Sequence, residues 1–208
     1  MLRMRRNSGG TMKILDLFSG LGGASEAFVQ AGHQVVRIEN NPLLSDVPHT
    51  IMGDVSIASA FKFDSYGSRI HHDLIWASPP CLEFSQGYNA PRPKAGREGI
   101  PFTPSLKLVK LAKDIIDELE PRYWIIENVV GAIKDFEPIL GKPTQIIGSF
   151  VLWGKFPAVI LPRGFKHTKS SNDPHSSDPL RSNKKAKIPL DISKAVMDAI
   201  STPTLGDF

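Results

Sequence analysis

The sequence predicts an α/β protein, a mostly parallel sheet flanked by helices. Two observations lead there: short apolar runs bounded by turn residues recur along the chain, and segments of helical spacing separate them. KILDLF (13–18) reads as a buried strand, SGLGG (19–23) as a turn, and ASEAFVQA (24–31) as a helix closed by Gly32. QVVRIE (34–39) is the next strand, which completes one strand–helix–strand unit. DLIWA (73–77) and YWIIEN (123–128) are two further runs of buried-strand type. Between them Leu106, Val109, Ile116 and Leu119 recur near helical spacing, with Pro104 near the start of that helix. QIIGSFVLW (145–153) and AVIL (158–161), separated by GKFP, are expected to pair as a closing antiparallel hairpin. IPLDISKAVMDAI (188–200) is expected to form a last helix.

With 208 residues, 41% of them hydrophobic and 22% charged, the chain is large enough to bury one substantial core. A single domain over 12–208 is expected, preceded by a disordered basic tail at 1–11. No stretch reaches the ~18 uncharged apolar residues of a membrane span. The basic N-terminus MLRMRRNSGG has no apolar segment behind it, so it does not read as a signal peptide and a cytoplasmic location is expected. The single cysteine, Cys81, allows neither an internal disulfide nor a cysteine zinc cluster. The six histidines show no metal-ligand spacing, and no metal is assigned.

The charges are unevenly placed. Residues 1–13 carry Arg3, Arg5, Arg6 and Lys13 with no acid, and residues 163–187 carry seven Lys or Arg against Asp173 and Asp178. Those two segments hold +9 of a chain whose net charge is +4, which leaves the remaining body at −5. The segment 163–187, rich in Ser, Asp, Asn, Lys and Pro, reads as a mobile basic loop. Such a loop suits a phosphate backbone as readily as it suits plain solvation.

Three places carry candidate chemistry. In DLFSGLGG, Gly20, Gly22 and Gly23 stand at a strand-to-helix turn, where small residues let a ligand approach the backbone. A dinucleotide, a nucleoside cofactor and mere packing all fit such a turn. Glu39, at the end of the next strand, is placed either to accept from ribose hydroxyls or to stand as an exposed strand-end carboxylate. Asp54 in MGDVS is a third polar candidate or a simple turn cap. The second place is ASPPCLEFSQ, which follows a strand and so lies on the usual active-site side of an α/β sheet. Pro79 and Pro80 restrict the backbone ahead of Cys81, and thiol chemistry there needs a thiolate. The third is WIIENV, where a carboxylate, Glu127, ends an apolar strand. Burial raises a carboxyl pKa, which suits a general acid, although a loop-anchoring role fits as well.

Taken in order, DLFSGLGG, IEN, GD, SPPCLEFS, ENV and IPLDISKAV resemble the DNA cytosine-5 methyltransferase family, from about Ile14 to Ile200. Pro-Cys and Glu-Asn-Val are the most specific elements of the resemblance. It implies a class I (Rossmann-like) methyltransferase fold, S-adenosylmethionine as cofactor, and DNA, double- or single-stranded, as partner. Carried over by position, Asp16, Phe18, Ser19, Gly20, Gly22, Gly23, Glu39, Asn40, Asp54, Val55 and Pro79 would surround the cofactor, with Glu39 on the ribose and Asp54 on the adenine. Cys81 would be the nucleophile toward C6 and Glu127 the acid at N3. Pro80, Ser85, Asn128, Arg163 and Lys166 would contact the substrate or fix the groups that do.

Two departures from the family stand out. No arginine lies between Arg122 and Arg163, where the family usually carries a base-contacting arginine motif, and about sixty residues after ENV leave no room for a target-recognition domain. Recognition is therefore expected to be short, or supplied by the basic loop or by a protein partner, and the chain is expected to be monomeric. Lys184, Lys185 and Lys187 precede the last helix, where they either bind solvent and phosphate or face a donor enlarged by a carboxylate. A tRNA cytosine-5 methyltransferase, transfer of a group larger than methyl, and an inert cofactor- or DNA-binding module remain alternatives. The compact size suits a phage.

Overall fold

The computed structural model describes residues 10–167 and 177–201. Seven strands form one sheet: β1 (Lys13–Leu17), β2 (Gln34–Glu39), β3 (Thr50–Met52), β4 (Leu74–Ala77), β5 (Tyr123–Val129), β6 (Gln145–Ile147) and β7 (Phe150–Lys155). Their spatial order is β3-β2-β1-β4-β5-β7-β6. The first five are mutually parallel and β7 runs antiparallel to both neighbours. This is the Rossmann-like α/β sheet that the sequence predicts. Because the order turns back between β1 and β4, a crevice opens at the carboxyl ends of those two strands.

Helices α1 (Glu26–Gln30), α2 (Pro91–Glu98), α3 (Lys107–Leu119), α4 (Ile133–Leu140), α5 (Arg181–Ala186) and α6 (Leu190–Ser201) complete the fold. Alternate residues of each strand face opposite layers. Leu15, Leu17, Ile75 and Ala77 pack with Val109, Ala112, Ile116 and Phe136 of α3 and α4. Ile14, Leu74, Trp76 and Ile125 pack with Phe28 of α1 and Ile192, Val196 and Ile200 of α6. Ser193 of α6 joins the last helix to the first, accepting from the Ala27 amide at 3.1 Å and donating to the Ala24 carbonyl at 2.7 Å. Among the described residues, no helix is long and apolar enough to cross a membrane.

Three expectations need correction or restriction. The closing hairpin is β6 and β7 themselves, over 145–155, because Gly148 at φ +59° begins a two-residue turn with Ser149 inside QIIGSFVLW. AVIL is no strand: Pro157 and Pro162 bracket it, and only Val159 joins the edge, through both groups of the Gln145 side-chain amide. Within the supposed mobile loop 163–187, residues 181–186 are helical, and Lys184 pairs with Asp178 at 2.7 Å. The rest of that expectation falls largely at 168–176, and most of the tail falls at 1–9, both outside the described residues.

Candidate active site

The turn after β1 is held by its own backbone and by Glu39. Phe18 and Gly20 take positive φ (56° and 52°), the Ser19 amide donates to the Ile38 carbonyl, and the Gly22 amide returns to the Ser19 carbonyl. Glu39 is buried, not exposed. Its Oε2 accepts from the Gly20 amide at 2.8 Å, and its Oε1 from the amides of Asn40 and Asn41 at 3.0 and 2.9 Å. The carboxylate therefore straps the ends of β1 and β2 together. Asp54, after β3, is exposed and caps the following 3-10 turn through the Ser56 amide at 2.9 Å, which holds its carboxyl below the usual range. Val55 is buried behind it and Asn40 is exposed.

The three glycines differ in what they allow. A Cβ on Gly20 would have only Asn183 Nδ2 near it, at 4.0 Å. At Gly22 it would run into the Arg37 guanidinium, and at Gly23 into the backbone of Ile188 and the stem of Lys187. Gly22 and Gly23 are small so that the protein's own groups can close on them, and only Gly20 leaves space for a ligand. The lysine segment thus lies over the glycine turn, with Lys187 exposed and close enough to act on Glu26.

Beneath this turn lies a buried polar relay that sequence reasoning missed. Arg37, 1% exposed, donates from Nε to Ser25 Oγ (2.9 Å), from Nη1 to the Pro48 carbonyl (3.0 Å), and from Nη2 to the Gly22 carbonyl (2.9 Å) and Glu26 Oε2 (3.2 Å). Ser25 in turn donates to Asp16 Oδ2 at 2.6 Å. Asp16, expected near the cofactor, lies wholly buried under Ser25, and its Oδ1 has no hydrogen-bond partner among the described residues. The visible signal was an arginine in the middle of an apolar strand, where a charge stays only if it is paired.

At β4, the Ser78 amide donates to the Leu17 carbonyl at 3.1 Å, so the cysteine loop starts beside the glycine turn. Pro79 is buried, Pro80 exposed, and Cys81 partly exposed. The Phe84 amide closes a turn on the Cys81 carbonyl at 3.0 Å, while the Phe84 ring anchors edge-on against Phe136. Ser85 accepts from the Gly87 amide in the next turn. Ala77 pairs with Ile126, which places Glu127 beside the first residues of the cysteine loop. Glu127 is 8% exposed.

Asn128, fully buried, donates from Nδ2 to the Pro79 carbonyl at 2.9 Å and accepts from the Val129 amide at 2.9 Å. Its side chain is spent on the protein itself. Gly131 packs so closely on the Phe84 carbonyl that a Cβ would overlap it, and Arg92 of α2 reaches Asp135 (2.7 Å) and the Gly131 carbonyl (3.4 Å). Glu83 accepts from the Ser105 amide at 2.6 Å, so the loop is held at several points along its length. Arg163 and Lys166 are not on this loop; they are exposed on the segment beside β6, two strands beyond β5.

Ser19 Oγ and Ser78 Oγ are two of three buried hydroxyl oxygens without a hydrogen-bond partner among the described residues, Thr50 Oγ1 of β3 being the third. The two serines stand at the ends of β1 and β4, on the two walls of the crevice, and unpaired polar atoms there fit a polar ligand seated between the walls.

The family model for C-5 cytosine-specific DNA methylase matches residues 12–140, and the chain belongs to that family. It is 29% identical over 143 residues to the type II methyltransferase M.AplI of Arthrospira platensis, covering 68% of this chain and 38% of that one. It is 31% identical over 133 residues to the Frog virus 3 protein named "Probable DNA (cytosine-5)-methyltransferase", covering 60% and 58%. The chain therefore spans less than two thirds of the length of either relative. A solved SAM-dependent methyltransferase from Agrobacterium tumefaciens aligns over 70% of this chain and 55% of its own, at 17% identity and a TM-score of 0.43.

Removing the Arg37 side chain leaves two carbonyls and a buried relay unpaired. Arg37→Ala is expected to destabilise the protein by about 3–5 kcal/mol, whereas Glu26→Gln, at the solvent end, should cost less than about 1 kcal/mol in urea unfolding. Equal effects would contradict the clamp. Burial pushes the Asp16 carboxyl up to about 6, against the pull of Ser25 and Arg37. An acid with a native pKa above its unfolded 3.8 favours folding while protonated, and that contribution is lost as pH rises through about 6. Asp16→Asn should therefore gain on the wild type between about pH 4 and pH 7, by up to roughly 3 kcal/mol, measured as the difference in unfolding free energy. A difference that does not change with pH would contradict it.

Proposed function

We propose that the chain is a DNA cytosine-5 methyltransferase working through a covalent adduct of Cys81 with C6 of the target cytosine. The observation that carries this reading is the Asn128–Pro79 hydrogen bond, which joins the loop bearing the only cysteine to the strand bearing a buried carboxylate. S-adenosylmethionine would sit in the crevice, where Ser19, Gly20 and Ser78 line the walls, with Glu39 to hold the ribose and Asp54 the adenine. When bound, it supplies a sulfonium methyl group.

C5 of cytosine is a weak nucleophile. Attack of the Cys81 thiolate forms an S–C6 bond and moves an electron pair into the ring, while Glu127 delivers a proton to N3 so that negative charge does not build there. C5 becomes electron-rich as a result. After C5 is alkylated, water takes the C5 proton, the S–C6 bond breaks to give back the thiolate, and the N3 proton returns to Glu127, which restores aromaticity. A stacked duplex offers no access to C6, so the base is flipped out or presented single-stranded. Pro79, Pro80 and Asn128 act as positioning residues, which keep the sulfur at one place beside Glu127.

The test uses DNA containing 5-fluorocytosine, in which the final elimination is blocked. With S-adenosylmethionine present, mass spectrometry is expected to show the protein joined to DNA and carrying one added methyl, with no such species for Cys81→Ser. Glu127→Gln should slow adduct formation by about 100-fold or more. Failure to form the adduct on both single- and double-stranded DNA, under conditions where the cofactor binds, would overturn the proposal.

A further inference from the structure

One groove takes no part in that chemistry. It encloses about 940 Å³ between β6 with its Gly148–Ser149 turn and residues 161–167. Strand register fixes its position: Val129 pairs with Phe150, and Phe150 with Ile147, so the carboxyl end of β6 lies on the same edge of the sheet as Glu127 and the cysteine loop. From β4 to β6 is three strand spacings, about 14 Å. That distance is roughly four base-pair steps of B-form DNA.

Among aliphatic and small residues, the lining carries two flat rings, Phe165 and His167, and one lysine, Lys166, and contains no acid. Phe165 is half-buried, and the His167 ring lies 5.1 Å from that of Phe150. His167 Nε2 is buried and has no hydrogen-bond partner among the described residues. Lys166 lines the groove, and Arg163 stands between the lining residues Pro162 and Gly164; both are exposed. An aromatic wall, an unpaired ring nitrogen and cations at the rim match a nucleotide, base inward and phosphate outward.

We propose that this groove is a subsite for a DNA nucleotide flanking the target cytosine, within about four positions of it. Phe165 and His167 meet the base, and Lys166 and Arg163 meet the phosphates. The inference rests on the reading of DNA as substrate, and it assigns part of the recognition to the chain itself.

Photo-crosslinking tests it without requiring turnover. Oligonucleotides carry one 5-fluorocytosine and a 5-iododeoxyuridine at successive positions one to eight nucleotides away on either side; after irradiation with the full chain, the joined peptide is mapped by mass spectrometry. The expected result is a crosslink at Phe165 or His167 from a position within about four nucleotides. Lys166→Glu, an exposed change, should lower that yield at least about tenfold and reduce the salt slope of binding by about one. Crosslinks confined to other peptides, or a yield and slope unchanged in Lys166→Glu, would overturn the subsite. The Cys81 adduct on the same oligonucleotide separates the two claims. An adduct without a groove crosslink removes the subsite alone, a groove crosslink without an adduct removes the reaction alone, and absence of both removes both.

Discussion

The hydrogen bond from Asn128 to the Pro79 carbonyl ties the cysteine loop to the end of β5, beyond the reach of the β4–β5 ladder. β4 and β5 stop pairing at Ala77 and Ile126, and beyond that point the chain departs in two directions. Pro79 and Pro80 contribute no N–H groups, so neither proline can donate to hold the loop. The Pro79 carbonyl is therefore fixed from outside, by a side chain whose own oxygen is occupied by the next amide on β5. Net of water, such a bond contributes about 1 kcal/mol, but a buried carbonyl left without a partner costs about 1–3 kcal/mol. The asymmetry restrains the start of the cysteine loop: Pro79 cannot drift from β5 without exposing or orphaning that carbonyl.

A second constraint acts on the opposite wall of the crevice. The glycine turn would be a floppy segment if flexibility were all that glycine supplied. Here Gly22 admits a buried guanidinium that grips the turn's carbonyl, and Gly23 admits the chain entering α6. Both walls are thus set by buried polar contacts over long stretches of sequence, and the crevice between them is shaped before any ligand arrives. Preorganisation of this kind is what orientation-dependent chemistry demands.

The parts of the fold that follow periodicity were legible. β2 begins and ends where the apolar run QVVRIE does, and α3 buries Val109, Ile116 and Leu119 as their spacing implies. The Gly148–Ser149 turn was present in the sequence but hidden inside a continuous apolar stretch, so two short strands read as one. α2, PRPKAGRE, has no apolar face to reveal it; only Pro91 at its start and Gly99 at φ +67° at its end mark it. The candidate site was legible as residue types in order, with Cys81 and Glu127 each at a strand end. What was not legible was which polar side chains serve the protein itself. Asn128 was open to contacting substrate or to fixing its neighbours, and burial commits it to the second; Asp16 is wholly buried with one oxygen on Ser25, and Arg37 acquires its role only when Gly22, Ser25 and Pro48 converge on it.

Amide hydrogen exchange in Asn128→Ala tests the central claim most directly, since it reads the loop and requires no reaction. The amides of Phe84 and Val129 report the turn after Cys81 and the Asn128 bond itself. If the bond fixes the cysteine loop, both should exchange roughly ten- to hundredfold faster in the variant, as loss of about 1–3 kcal/mol implies, with the amides of β1 and β2 unchanged. Phe84 protection equal to that of the wild type would show that the loop keeps its place by other means, and the account of how Cys81 is held beside Glu127 would be wrong.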